Sequence, residues 1–319
     1  MDCSVIISSN NRASSLEQTL LAFGDVLIPA GWATELIIVD NASKDNTAEV
    51  VKAAKLLNFN VRYLYEGQPG KSNALNTALA VAKGEVLLFT DDDVVPTKDW
   101  LAKLAAPLRN RECDGVVGRI ELARHLWRPW MDSSHRHRLA APDVPSSEII
   151  GANMGFHRSV FDRVPAFDPE LGPGAIGLGE ETLFALQLSE AGFHVRAVPD
   201  AIVIHHPEPS RLRRSQWLAG SIKFGRTGAY ILHHWKHGEL KMPHLRLRYF
   251  QFKLTLRRII QPPPAWEEEG CPPWEMSYVT EVERCRYFIH ERLRERNYSK
   301  HGLRRRTVKA APSSRLPQG

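Results

Sequence analysis

The first part of the chain alternates two kinds of periodicity. Continuous apolar runs, "CSVIIS", "ELIIVD", "VRYLYE" and "EVLLFT", have the length and β-forming content of buried strands. Helical stretches separate them. "LEQTLLAF" follows Ser14 or Ser15 as an N-cap, with Glu17 and Gln18 at capping-box spacing. "NASKDNTAEVVKAAKLL" is a turn leading into a helix, and "GKSNALNTALAVAKG" puts Ala74, Leu75, Ala78, Leu79 and Ala82 on one stripe, with Gly84 as C-cap. Such repetition predicts an α/β fold with a mostly parallel, Rossmann-like sheet flanked by helices. Ligands are then expected at the carboxyl ends of the strands.

Beyond about residue 115 the pattern loosens. "LARHLWRPWMDSSHRHRLAAPDVPSS" predicts loops and short elements near the active face, with Trp127 and Trp130 as acceptor contacts. His135 and His137 alternate with arginines, which reads as a solvated basic loop rather than a metal site. The glycine-rich residues 172–179 are expected to be mobile, and they precede a helix whose first turn carries Glu180 and Glu181. "VRAVPDAIVIHH" is a last strand, ending at His205 and His206. After it the composition changes. "QPPPAWEEEGCPPW" is a Pro-rich break, followed by a basic helix with Val282, Cys285, Ile289 and Leu293 along one face and an end expected to be disordered. That helix either packs on the main body or touches a membrane surface. The division expected is a catalytic domain over residues 1–235 and a basic, Pro-interrupted, mainly helical extension over residues 236–319.

Charge sharpens the contrast. The net charge of +6 splits into 19 Lys/Arg against 26 Asp/Glu up to His205, or −7, and 23 against 10 thereafter, or +13. An excess of that size suggests an anionic partner for the tail. No apolar run reaches the ~18 residues of a membrane span, no basic region precedes "SVIIS", and Cys3, Cys113, Cys271 and Cys285 form no CxxC. These features suggest reduced thiols and a cytoplasmic protein, with a Cys271–Cys285 disulfide left open.

The candidate chemistry lies in "VLLFTDDDVVP", where an apolar strand ends in Asp91, Asp92 and Asp93. Alone, three adjacent acids make a solvated turn or a helix cap. Together with Asp40 at another strand end, the acid pair and the terminal histidine, they suit metal-assisted transfer from a nucleotide diphosphate. Mg²⁺ or Mn²⁺ takes carboxylate and phosphate oxygens, and a separate carboxylate, Glu181 or Glu180, is available as the base. "SSNNRASS" lacks the Gly-rich triphosphate loop of a nucleotidyltransferase and the GxGxxG of a dehydrogenase. There is no RNA-binding signature, and no nucleic acid is expected as a partner.

"SVIISSNNR", "ELIIVDNASKDNT", "GKSNALNTALAVAKGEVLLFTDDDVVP", "GANMGFHRSVF", "FDPELGPG", "GEET" and "VPDAIVIHH" occur in an order that resembles a family 2 glycosyltransferase of GT-A fold, over about residues 3–228. The resemblance implies that Asp40 reads the nucleotide base and Lys71 the base or diphosphate region. It places Asp91 on the ribose, Asp93 on the metal and Asp92 between them. It also implies Glu181 as the general base with Glu180 beside it, and His205, with His206 as the adjacent alternative, completing the metal site. Two departures stand out. Ser8 and Ser9 replace the frequent Pro-Thr, and Glu181 stands where Asp is usual. The implied reaction is inverting transfer from a nucleotide sugar, UDP-sugar foremost, to a glycan or lipid-linked glycan at the inner membrane face, in the synthesis of bacterial surface polysaccharide or glycoconjugate. The rival reading is a vestigial site on a module that binds lipid or nucleic acid through its basic tail.

Overall fold

The computed structural model describes residues 1–143 and 149–306. The strands are β1 (Cys3–Ser9), β2 (Thr34–Asn41), β3 (Asn60–Glu66), β4 (Val86–Thr90), β5 (Val94–Pro96), β6 (Gly115–Leu122), β7 (Asn153–His157) and β8 (Val195–His205). They form one sheet in the order β3-β2-β1-β4-β7-β6-β8-β5. The first four in that order run parallel; β7 is antiparallel to both β4 and β6, β8 parallel to β6, and β5 antiparallel to β8. Thus half the sheet is parallel and the other half mixed.

Residue alternation explains the layers, since successive side chains of a strand face opposite sides. Val5, Ile7, Leu36, Ile38, Val86 and Leu88 join one core with α1 (Ala13–Phe23), α2 (Thr47–Ala53) and α4 (Trp100–Arg109). Ile6, Ile37, Val39, Leu87 and Phe89 join another with α3 (Lys71–Val81) and α6 (Glu180–Glu190). Leu139 of α5 (Ser133–Leu139) joins a third cluster with Leu122, Leu126, Leu212 and Trp217, and the N-terminus of α5 is capped by Asp132 accepting from the backbone of Ser134 and His135.

Several local expectations give way to tertiary contacts. Helix α1 begins at Ala13, ahead of both serines, and its first N–H donates to Asp45 Oδ2 at 3.0 Å, while Asp45 Oδ1 accepts from the backbone of Thr47. One carboxylate therefore serves the starts of α1 and α2 in place of a local capping box. Helix α3 closes at Ala82 in extended conformation, not at Gly84. Gly84 lies against β1, where a Cβ would collide with Ser4 N and come within 2.6 Å of the carbonyl carbon of Cys3. The glycine-rich run is pinned: Pro173 O accepts from Lys71 N at 2.9 Å, Leu171 O from Ser72 Oγ at 2.8 Å, and Leu178 O from Thr227 Oγ1.

The C-terminal segment contains α7 (Arg214–Tyr230), which continues through a π turn (Ile231–Trp235), then α8 (Pro243–Ile260) and α9 (Pro273–Glu291). Val282, Cys285 and Phe288 of α9 are buried, whereas Leu293 lies beyond the helix and is exposed. Of the two fates considered for this helix, packing is the observed one. α9 crosses α7 at Gly225, where an added Cβ would stand 2.5 Å from Thr280 O. Residues 297–305 return to the main body: Asn297 Nδ2 donates to Tyr230 Oη, and Tyr230 and Tyr298 both donate to Asp168 Oδ2 at 2.6 and 2.7 Å. All four cysteines are buried free thiols, which closes the question of a Cys271–Cys285 bridge. The last dozen residues, expected to be disordered, lie outside the described residues. Among the described residues no helix is long and apolar enough to cross a membrane.

Candidate active site

At the carboxyl edge of β1, β2 and β4 the chain leaves a cavity of about 440 Å³. Asp91, Asp92, Asp93, Lys71, Glu180, Glu181 and His205 all line it, together with Arg12, Arg138, Arg211 and Phe224. Register accounts for part of this gathering. Val94 of β5 pairs with His205 of β8, and His206 N donates to Asp93 O at 2.7 Å, so the last aspartate and the last strand meet as neighbours. His205 Nε2 stands 3.4 Å from Asp93 Oδ1. His206 is exposed instead, beside His125 with ring centroids 5.8 Å apart.

Each carboxylate has a distinct setting. Asp92 is buried, accepts from Ser9 Oγ at 2.6 Å and pairs with Arg12 at 3.0 Å. Burial, only partly offset by Arg12, pushes its pKa up to about 6. Asp93 Oδ2 takes Arg12 Nη1 at 2.6 Å; despite burial, His205 and Arg12 hold its pKa well below the usual carboxylate range. Burial disfavours the charged form of His205 too, yet Asp93 outweighs it and raises the imidazole pKa. Asp91 pairs with Lys71, whose Nζ is also 3.9 Å from Glu180 Oε1. Burial opposes the ammonium charge, but Asp91 and then Glu180 raise its pKa above the ordinary lysine value. Glu181 is half-exposed as a residue, yet its Oε2 is buried without a hydrogen-bond partner among the described residues. Burial first and Glu180 second push the Glu181 pKa well up.

The donor set fits a hard divalent cation. Asp93 Oδ1 is a buried carboxylate oxygen lacking a hydrogen-bond partner among the described residues, and His205 faces it. The other ring nitrogen, Nδ1, lies 2.6 Å from Leu139 O, an arrangement that fixes Nδ1 as the donor and leaves Nε2 for a ligand when the ring is neutral. Among the described residues no three His, Cys, Asp or Glu side chains gather at ligating distance.

Other predicted residues sit elsewhere. Asp40 is buried behind the cavity, its Oδ1 accepting from Ser43 N and its Oδ2 from Tyr63 Oη, both at 2.9 Å; Asn41 lines the cavity beside it. Trp127 and Trp130 are not among the cavity-lining residues. Trp127 donates to Leu122 O, and Trp130 packs edge-on against Trp217 and His135. His135, expected in a solvated loop, is 2% exposed and bonded through Nε2 to Cys271 O at 2.7 Å. His137 does reach the cavity. Arg12 escaped the sequence reading, although its place just after β1 in "SSNNR" was a usable signal. Arg211 did too. It lines the same wall, and burial followed by repulsion from Arg12 lowers its pKa.

Residues 4–164 match the family described as Glycosyl transferase family 2, and the chain belongs to that family. Probable glycosyltransferase YdaM of Bacillus subtilis is 27% identical over 240 residues, which are 68% of this chain but 54% of YdaM; the chain thus spans about half of that relative. Succinoglycan biosynthesis protein ExoM of Rhizobium meliloti is 26% identical over 237 residues, 71% of this chain and 74% of ExoM. Among solved structures, mannosyltransferase PcManGT from Pyrobaculum calidifontis, in complex with GDP-Man and Mn²⁺, superposes with a TM-score of 0.53 at 20% identity. The match covers 89% of this chain and 69% of PcManGT. S. aureus TarS 1-349 in complex with UDP-GlcNAc gives 0.52 at 20% identity, covering 82% and 76%. At such identities the likeness is one of fold, and that fold is the GT-A type.

Proposed function

We propose that this protein transfers a sugar from a nucleotide diphosphate sugar, with a UDP-sugar as the first donor to test, to a hydroxyl of a glycan or lipid-linked glycan. The product belongs to a surface polysaccharide or glycoconjugate. Residues 1–235 are the proposed catalytic part and residues 236–319 its extension. The observation that carries the reading is that two buried carboxylate oxygens without hydrogen-bond partners among the described residues, Asp93 Oδ1 and Glu181 Oε2, belong to residues lining one cavity with Lys71 and Arg12. An unpartnered buried polar atom is costly, and a ligand that satisfies both would recover that cost.

In this mechanism Asp91 takes the ribose, Lys71 supplies positive charge at the diphosphate, and Asp40, working behind Asn41, orders the wall that meets the base. Asp93 and His205 would hold a divalent cation, which would supply positive charge facing the departing diphosphate. Glu181 Oε2 accepts the proton of the acceptor hydroxyl. The acceptor oxygen bonds to the anomeric carbon as the bond from that carbon to the diphosphate oxygen breaks, the electron pair leaving with the diphosphate. Because base and leaving group lie on opposite faces, the product has inverted configuration. Burial and Glu180 raise the Glu181 pKa, which makes its carboxylate a stronger base once it is ionised.

Calorimetric titration with UDP, GDP and dTDP, each with Mn²⁺ and with EDTA, tests the reading. Metal-dependent binding of one nucleotide supports it and identifies the donor class. Absence of binding to all three in a folded sample would sink it and favour the vestigial-site alternative.

A further inference from the structure

Helix α8 has two apolar faces, and only one is used. Leu247 and Phe250 join a cluster with Cys285 and Phe288, and Phe250 meets Tyr278 at 6.3 Å. On the opposite side Leu245, Tyr249, Phe252, Leu256 and Ile259 are between 43% and 72% exposed. Their spacing alternates four and three residues, which keeps them on one helical stripe about 21 Å long. Solvation of so long an apolar face is unfavourable, and a contiguous one marks a contact surface.

Charge indicates the occupant. The helix contains five Lys or Arg and no Asp or Glu. Helical spacing puts Arg248 on one flank of the stripe and Lys253 on the other, with Lys253 Nζ 4.9 Å from the Tyr249 ring centre. Apart from Glu268, which accepts from Ala265 N, the nearby acids are engaged in ion pairs. Glu275 pairs with Arg258 and Arg214, Glu281 with Arg246, and Glu267 and Glu269, just beyond the helix, with Arg213 and Arg128. A second copy docked on the stripe would set the basic flanks of both against each other. An anionic bilayer surface instead satisfies the apolar stripe and its basic margins together.

We propose that α8 is a peripheral membrane anchor, lying in the plane of an anionic bilayer with the stripe immersed and Arg248 and Lys253 at headgroup level. The proposal is independent of the transferase chemistry. It also moves the expected membrane contact from the helix containing Val282 and Cys285, which is packed, to the one before it.

Flotation of the full chain with phosphatidylcholine vesicles, with and without phosphatidylglycerol, is the test. Anionic vesicles should be bound roughly tenfold more tightly than neutral ones, and both Phe252→Ser/Ile259→Ser and Arg248→Glu/Lys253→Glu should weaken that binding roughly tenfold or more at unchanged melting temperature. Should the first pair lower the melting temperature, Leu245→Ser/Ile260→Ser probes the same stripe. Equal binding to both vesicle types, or binding indifferent to the apolar substitutions, would overturn the proposal. So would a concentration-dependent dimer in light scattering that Phe252→Ser/Ile259→Ser abolishes, since the stripe would then belong to a second copy.

Discussion

At the scale of single residues, the cavity separates carboxylates that look interchangeable in "TDDD" and "GEET". Asp93 is held ionised by Arg12 and His205, whereas Glu181 is kept toward its neutral form by burial and Glu180. Different defects are therefore expected from their removal. Asp93→Ala should abolish metal-dependent nucleotide binding in calorimetry. Glu181→Gln should retain that binding and lower kcat by about 10²- to 10⁴-fold. Loss of binding in both variants would mean that the base is misassigned. The acid limb of the activity profile should also lie above the ordinary carboxylate range. For stability the sign is the reverse of that for a salt-bridged acid. A folded pKa raised above the unfolded one gives stability at low pH that is lost as pH rises through the folded value. Glu181→Gln should remove that decline, which urea melts across a pH series would register. The aspartates were legible because they follow a strand, and the glutamates because they open a helix. Arg12 was harder to see, because its role depends on Asp92 and Asp93, 80 and 81 positions away.

At the scale of elements, β1 to β4, α3, α6 and β8 were legible because each carries its own periodicity. β6 and β7 were not. "NMGFH" lies mid-sheet between β4 and β6, with Met154 and Phe156 in the core and Gly155 where an added Cβ would stand 2.5 Å from Leu88 Cδ2. Asn153 at its start bonds to Arg119 O, Ala201 O and Trp100 Nε1, three distant segments that no local pattern announces. The crossing of α7 and α9 is of the same kind. Gly225→Ala would press a methyl group onto Thr280 O, and a loss of about 1–3 kcal/mol is expected in chemical denaturation. No change in stability would show that the two helices separate at little cost.

Across the whole molecule, the basic extension is not a loose tail within the described residues. Asp168, in the "FDPELG" stretch of the main body, accepts from Tyr230 and from Tyr298, so a chain segment near the end is bolted to the middle. Tyr298 is 1% exposed. Tyr298→Phe should cost about 1 kcal/mol for the lost hydrogen bond, and Tyr298→Ala about 3–5 kcal/mol for the cavity as well. A single cooperative melt, shifted by both variants, is expected; an unshifted main transition would show that the extension unfolds separately. Composition set the extension apart, and the +13 after His205 led to the expectation of an anionic partner. Neither indicated which helix would be left uncovered, because that depends on which apolar face α9 claims first.

The pairing of β5 with β8 also bears on time. Asp93 precedes His205 by more than a hundred residues of synthesis, and β5 has no neighbour in the sheet except β8. While the chain is growing, the three aspartates form an acidic loop beside an unpaired edge segment. The last strand of the sheet closes it, and only a nascent chain that has emerged past residue 205 can bring Asp93 and His205 together. The pair proposed to hold the cation therefore comes together late in synthesis, and nucleotide affinity, once measured, would serve as a reporter that the sheet is complete.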